Sequence, residues 1–136
     1  MYNTLITSIE KSFTDPVWTI FGIPTYPDNY QGVIDNQNEF CRLNILPTTS
    51  ETIAFGGIGD SKSLTGNIII AIFVKAGEGQ RRVSEIADLL DDLLQYTSPV
   101  GGLGLGPSFV FMTGLDSQNR SLYSARYTIP FTYYKE

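Results

Sequence analysis

The sequence predicts an α+β domain: a mixed or antiparallel β-sheet packed by two helices, with a projecting β-hairpin or long loop. Three observations carry this reading. Two segments place apolar residues at helical spacing, several others alternate apolar with polar, and one short run is apolar throughout. Their order is helix, strands, helix, strands, which sets helices against one sheet. A chain of 136 residues is expected to form one domain.

Tyr2, Leu5, Ile6, Ile9 and Phe13 fall on one helical stripe. Asp15-Pro16 ends that helix, because the residue before proline is pushed out of the helical region. Val17 to Ile23 is aromatic and β-branched and reads as a strand; Pro24 to Asn38 reads as a loop. Phe40 to Leu46 alternates, with Cys41, Leu43 and Ile45 on one face and Arg42 and Asn44 on the other. Pro47 is expected to end it. Thr48 to Leu64 is polar and glycine-rich, and Glu51 to Phe55 is predicted to be a hairpin arm. That hairpin, with Glu51, Phe55, Gly57, Asp60 and Lys62, suits contact with a neighbouring molecule.

Ile68 to Val74 is the apolar run, too short for a typical helix and rich in β-branched residues. It is expected to be the central strand, covered on both faces. Ala76 to Gly79 makes a tight connection. A second helix follows, with Val83, Ile86, Ala87, Leu90, Leu93 and Leu94 on one stripe, ending by Thr97 ahead of Pro99. Ser98 to Pro107 is a loop with four glycines. Phe109 to Met112 is a strand and Asp116 to Asn119 a turn. In the last strand Tyr123, Ala125, Tyr127, Ile129, Phe131 and Tyr133 share one face. Ser124, Arg126, Thr128 and Thr132 share the other. Pro130 cannot donate a ladder hydrogen bond, so this strand is expected at an edge or bulged there.

The residues available restrict the chemistry. Histidine is absent, which removes the commonest general base and metal ligand. A single cysteine, Cys41, excludes an intramolecular disulfide and, without histidine, a cysteine-histidine zinc site. Cys41 faces inward beside Leu43 and reads as a small hydrophobe. Gly101 to Gly106 is no phosphate loop, since neither Lys-Ser nor a helix follows it. We therefore expect no catalytic residue, no metal and no cofactor. The net charge of -5 argues against gripping nucleic acid through its phosphates. No apolar run reaches membrane-spanning length, and Met1 to Thr4 has no basic stretch ahead of an apolar one, so neither membrane nor secretory pathway is expected.

Charged residues make up only 17%, against about 25% in typical domains, so burial of surface against partner subunits is expected. The second helix orders its charges against its dipole. Arg81 and Arg82 stand in the first turn, and Asp91 and Asp92 lie near the last. Charges tolerated in that order suggest use elsewhere. Arg81 and Arg82 of one copy could meet Asp88, Asp91 or Asp92 of the next, in a head-to-tail contact that closes a ring.

The succession of Leu43-Asn44-Ile45-Leu46-Pro47, a glycine-bearing hairpin, Phe73-Val74-Lys75-Ala76-Gly77-Glu78-Gly79 and a helix with Ile86-Ala87-Asp88-Leu89-Leu90 resembles the tail-terminator (tail-completion) proteins of long-tailed phages. The likeness spans most of the chain, apart from Pro24 to Asn38 and Ser98 to Pro107. It implies a structural virion protein at the head-proximal end of the tail. It also implies a hexameric ring that caps the tail tube, ends its polymerisation and meets a head-completion or neck protein. DNA would pass through the lumen without specific binding. Three other readings compete: another neck or tail-tube subunit, a hydrolase using Asp88, Asp91 and Asp92 with a metal, and a monomeric ligand-binding module using Tyr26 and Tyr30.

Overall fold

Strand β3 (Lys62–Lys75) runs through the middle of one six-stranded sheet. The computed structural model describes residues 2–27, 39–52, 62–97, 102–115 and 122–135. On one side β3 pairs antiparallel with β2 (Phe40–Thr52), which pairs parallel with the short β1 (Thr25–Pro27). On its other side β3 pairs antiparallel with β6 (Leu122–Lys135). Two strands then share the far side of β6: β4 (Leu103–Leu105) against its C-terminal end and β5 (Phe109–Leu115) against its N-terminal end. The α+β class, the mixed sheet and the hairpin arms agree with the sequence.

Helix α1 (Tyr2–Ser12) and helix α3 (Gly79–Thr97) lie on one face of the sheet. Leu5, Ile9 and Phe13 meet the α3 stripe of Val83, Ile86, Ala87, Leu90, Leu93 and Leu94, and all of these are buried. Beneath them lie Cys41 and Leu43 of β2, Ile68, Ile70, Ile72 and Val74 of β3, and Ala125, Tyr127, Ile129, Phe131 and Tyr133 of β6. Each fully buried Leu or Ile contributes about 1.5–3 kcal/mol. A dozen such groups on two periodicities, 3.6 on the helix and 2 on the strands, hold the fold together.

Several expectations need correction. Val17 to Ile23 forms no strand: a single-turn helix, α2 (Pro16–Thr19), stands there. The Asp15 carbonyl accepts from Trp18 and Thr19, and proline is at home as the first residue of a helix. Aromatic content made the segment look extended, whereas its role is to bury Trp18. The indole meets Phe13 edge-on and donates to Thr25 Oγ1 at 2.9 Å. The nearby strand, β1, falls inside the predicted loop of Pro24 to Asn38; residues 28–38 lie outside the described residues.

Strand β2 does not end at Pro47 but continues to Thr52, with a register shift between Pro47 and Thr49. Cys41 donates its N–H away from β3, to the Pro24 carbonyl at 2.8 Å. By the alternation of an antiparallel ladder, Pro47 turns its missing donor the same way, so its pairing with β3 loses nothing. Glu51 lies in β2 and Lys62 begins β3, as hairpin arms should; Phe55, Gly57 and Asp60 fall outside the described residues. The arms are not a free-standing ribbon, because the C-terminal end of β6 lines them as a third strand.

β6 is neither an edge strand nor bulged against β3 at Pro130. Pro130 pairs with Asn67 on the β3 side, while its carbonyl accepts from Gly106 on the other. Its missing N–H therefore faces Gly106 at the break between β4 and β5, where the pair makes one bond instead of the two of a regular ladder. β3 is central, as predicted, but it is not covered on both faces: Ile69, Ala71 and Phe73 are only half-buried. The loop of Ser98 to Pro107 contains β4; residues 98–101 and the predicted turn at Asp116 to Asn119 lie outside the described residues. Among the described residues no helix is long and apolar enough to cross a membrane.

Gly66 marks the tightest point of the sheet. A Cβ there would stand 2.2 Å from the Leu46 carbonyl oxygen, 2.8 Å from Pro47 Cα and 2.9 Å from Phe131 Cζ. Two of the three are backbone atoms and cannot swing aside. Gly66→Ala is expected to lower the unfolding free energy by about 1–3 kcal/mol or more, read from urea midpoints.

Candidate assembly surface

The charged residues singled out in the sequence divide into two groups. Arg82 is engaged inside the fold: its Nε donates to Glu39 Oε2 at 2.7 Å, its second nitrogen to Glu39 Oε1, and a third to Glu85 Oε2 at 2.9 Å. The forked pair ties the start of α3 to the start of β2. Its hydrogen bond to Glu39 holds the guanidinium charged, against the opposing effect of burial. Cys41 lies fully buried close by. Burial pushes its thiol up to about 12, Glu39 adds to this and Arg82 opposes it, so it is inert as a nucleophile. Arg81 behaves differently: it is 92% exposed and pairs with Glu85 at 3.5 Å.

Asp91 is also engaged inside. Its Oδ1 accepts from Tyr127 of β6 and from Ser108 Oγ at 2.6 Å, just before β5 begins. Asp91 is thus half-buried and does not join an exposed acidic cluster. Asp88 and Asp92 do stand exposed, one turn apart on the outer side of α3. Among the described residues no group of histidine, cysteine, aspartate or glutamate could hold a metal. Of the three acids in the hydrolase reading, Asp91 is thus bound internally, while Asp88 and Asp92 are exposed.

Two clefts flank the helices. The larger, about 840 Å³, is lined by Lys75, Arg81 and Arg82 and by Glu39, Glu78 and Glu85. Three positive and three negative groups cancel, so it favours neither an anion nor a cation. The smaller, about 340 Å³, lies between α1 and the β1–β2 pair and includes Tyr26 and Leu43. Tyr26 packs edge-on against Phe40 at 6.0 Å, and Tyr30 lies outside the described residues. Tyr26 is half-buried and is not an open binding tyrosine.

The largest unexplained feature is the face of the sheet opposite the helices. Pairing register places Arg42, Asn44 and Leu46 of β2 on it, with Ile69, Ala71 and Phe73 of β3. Arg126 and Thr128 of β6 and Phe109 and Phe111 of β5 complete it. Among the described residues no helix covers it. Phe109 is 58% exposed, Phe111 65% and Leu46 42%, with Arg42 and Arg126 exposed between them. Scattered apolar side chains are normal on a surface, but aromatic groups grouped on a sheet face with arginine match the composition of protein interfaces. Sequence reasoning missed β5 as a surface element. Phe109-Val110-Phe111-Met112 is apolar at every position, and such a run reads as a strand buried on both faces.

No family model matches the chain, and no curated protein does. Among solved structures, one that is 17% identical superposes over 98% of this chain and 95% of that chain, with a TM-score of 0.63. Its name states no activity or partner, and the likeness shows the fold alone.

Burial, and next the hydrogen bond to Asp91, raise the Tyr127 phenol well above its ordinary value of 10.0. Ionisation of this tyrosine is therefore disfavoured in the folded state relative to the unfolded one. Its contribution to stability is fully present below the unfolded value of about 10 and is lost as pH rises beyond it. Urea denaturation should show stability falling above about pH 10, with a shallower fall in Tyr127→Phe.

Proposed function

We propose that this protein is a structural subunit of a phage tail, a terminator that forms a ring on the end of the tail tube. The observation that carries the reading is the uncovered sheet face, with Phe109, Phe111, Arg42 and Arg126 presented together. With the described helices on one side, the sheet leaves an aromatic, arginine-bearing layer that a further subunit can complete. The pattern of residues from Leu43 to Leu90 that resembles tail terminators gives that subunit its class.

In this reading the subunit associates with copies of itself into a hexameric ring. The ring halts the tail tube protein and offers its far side to a head-completion or neck protein. The hairpin carrying Glu51 and Lys62 reaches a neighbour or the tube. The charges support a role for each side of the domain. Asp88 and Asp92 on the outer side of α3 suit a lumen through which DNA slides, because carboxylates repel phosphates. The sheet face, with two exposed arginines, suits protein. The chemistry is mechanical and needs no cofactor.

Gold-labelled antibody against this protein, applied to assembled particles, tests the reading. Label is expected at the junction of head and tail only. Label along the whole tail would make this a tube subunit, and particles without label would remove it from the virion.

A further inference from the structure

We propose that β5 is a pairing edge, and that the free protein is a two-fold dimer in which β5 of one copy pairs antiparallel with β5 of a second. Gly106 N–H donates to the Pro130 carbonyl, and Tyr134 N–H to the Gly102 carbonyl. The even-numbered residues of β6 therefore turn their polar groups toward β4 and β5. The β3–β6 register has no shift from Lys62 to Lys75, so this alternation holds along β6. Phe109 and Phe111, opposite Thr128 and Arg126, are then hydrogen-bonded to β6. The N–H and C=O groups of Val110 and Met112 point the other way, to an edge that no described strand covers.

An open edge is ordinarily guarded by a charge, a proline or a bulge. The opposite edge of this sheet is guarded in that way. β1 is three residues long and ends in Pro27, and β2 turns Pro47 outward just before its register shift. β5 has no such guard: Phe109 to Leu115 contains neither a charged residue nor proline. Its register shift comes only after Met112, beyond both outward-facing residues. Phe109 and Phe111 stand exposed on one face, and Val110 is 37% exposed on the other.

A strand with these properties takes an uncharged, extended strand with apolar side chains. The described edge of this chain that matches is β5 itself. With Phe111 on the two-fold axis, Val110 exchanges two hydrogen bonds with Met112 of the partner subunit, and the symmetric pair exchanges two more. Phe111 then faces the partner's Phe111 as a non-hydrogen-bonded pair, with Cα atoms about 4.5 Å apart. The two uncovered faces become one continuous sheet surface. Such a contact joins two copies and stops, so it is distinct from the head-to-tail contact that a ring needs. It keeps an unguarded edge from open-ended association until assembly.

The test uses the intact chain and three variants. Sedimentation velocity should show a monomer–dimer equilibrium. Val110→Pro removes one outward donor from each copy while leaving the β6 bonds of Phe109 and Phe111 in place. It should weaken the dimer about ten- to a hundredfold. Phe111→Cys should form a disulfide-linked dimer under mild oxidation, because paired Cα atoms at that separation fit a disulfide. Thr132→Cys, on the same face beside β4, should not, and the buried Cys41 keeps the native chain free of cross-links. Far-ultraviolet circular dichroism and melting curves identify any variant that has lost its fold, and Phe111→Cys keeps an apolar side chain at an exposed site. A native chain that is monomeric at every concentration overturns the proposal. So does a folded Val110→Pro that dimerises like the native chain, or a Phe111→Cys that cross-links no faster than Thr132→Cys. The location of the protein in particles is read separately, so this pairing and the terminator reading fail independently.

Discussion

The apolar stripe of α3 must lie across the alternate residues of β3 and β6, and most of the molecule follows from that one packing. Leu90, Leu93 and Leu94 can be buried only if Ile68, Ile70, Ile72 and Tyr127 face them. All core-facing side chains of the sheet are thereby committed to one side. The other side inherits Arg42, Ile69, Phe73, Arg126 and Phe111, and among the described residues no helix covers them. One-sided burial is enough for stability in a domain of this size, but it leaves a surface with mixed demands.

The reversed charge order of α3 is explained mostly within the molecule. Placing Arg82 in the first turn and Asp91 toward the end opposes the helix dipole at a cost of a few tenths of a kcal/mol, up to about 1. A hydrogen bond to a charged group contributes about 1.5–3 kcal/mol, so the internal bonds outweigh that cost. Arg82 meets Glu39 from before β2, and Asp91 meets Tyr127 and Ser108. Both partners are distant in sequence, so the helix alone shows only the cost. Arg81, Asp88 and Asp92 remain on the surface.

Prolines govern the sheet by the direction of a donor they lack. Pro47 and Pro130 each lie inside a strand, where either could break a ladder. Pro47 turns its nitrogen to an outer edge, where no bond is due, and Pro130 turns its nitrogen to the break between β4 and β5, where only the one bond from Gly106 is made. The Asp91 carboxylate, through Ser108, holds the chain at that break. The edge strand that follows is thus anchored at its start to α3, which keeps Phe109 and Phe111 at a set height on the uncovered face.

The parts of the fold with a local signal are legible along the chain. The stripe from Val83 to Leu94, the alternation of Cys41 to Ile45, the face shared by Tyr123 to Tyr133 and the centrality of Ile68 to Val74 all follow from spacing, because burial on one face imposes a period. The inward-facing, inert Cys41 was legible in the same way. Direction and partnership were not. Val17 to Ile23 looked extended because aromatic residues favour strands, yet a proline after a capping aspartate carbonyl made a helical turn. Pro47 reads as a strand end and Pro130 as the mark of an edge or a bulge, because sequence shows a missing donor but not where it points. The exposure of β5 was hidden for a related reason: an apolar strand has the same composition whether a neighbour covers it or leaves it open. Which charges are spent inside, which edge is guarded and which face is left bare are settled by folding, since each depends on residues brought together from distant parts of the chain.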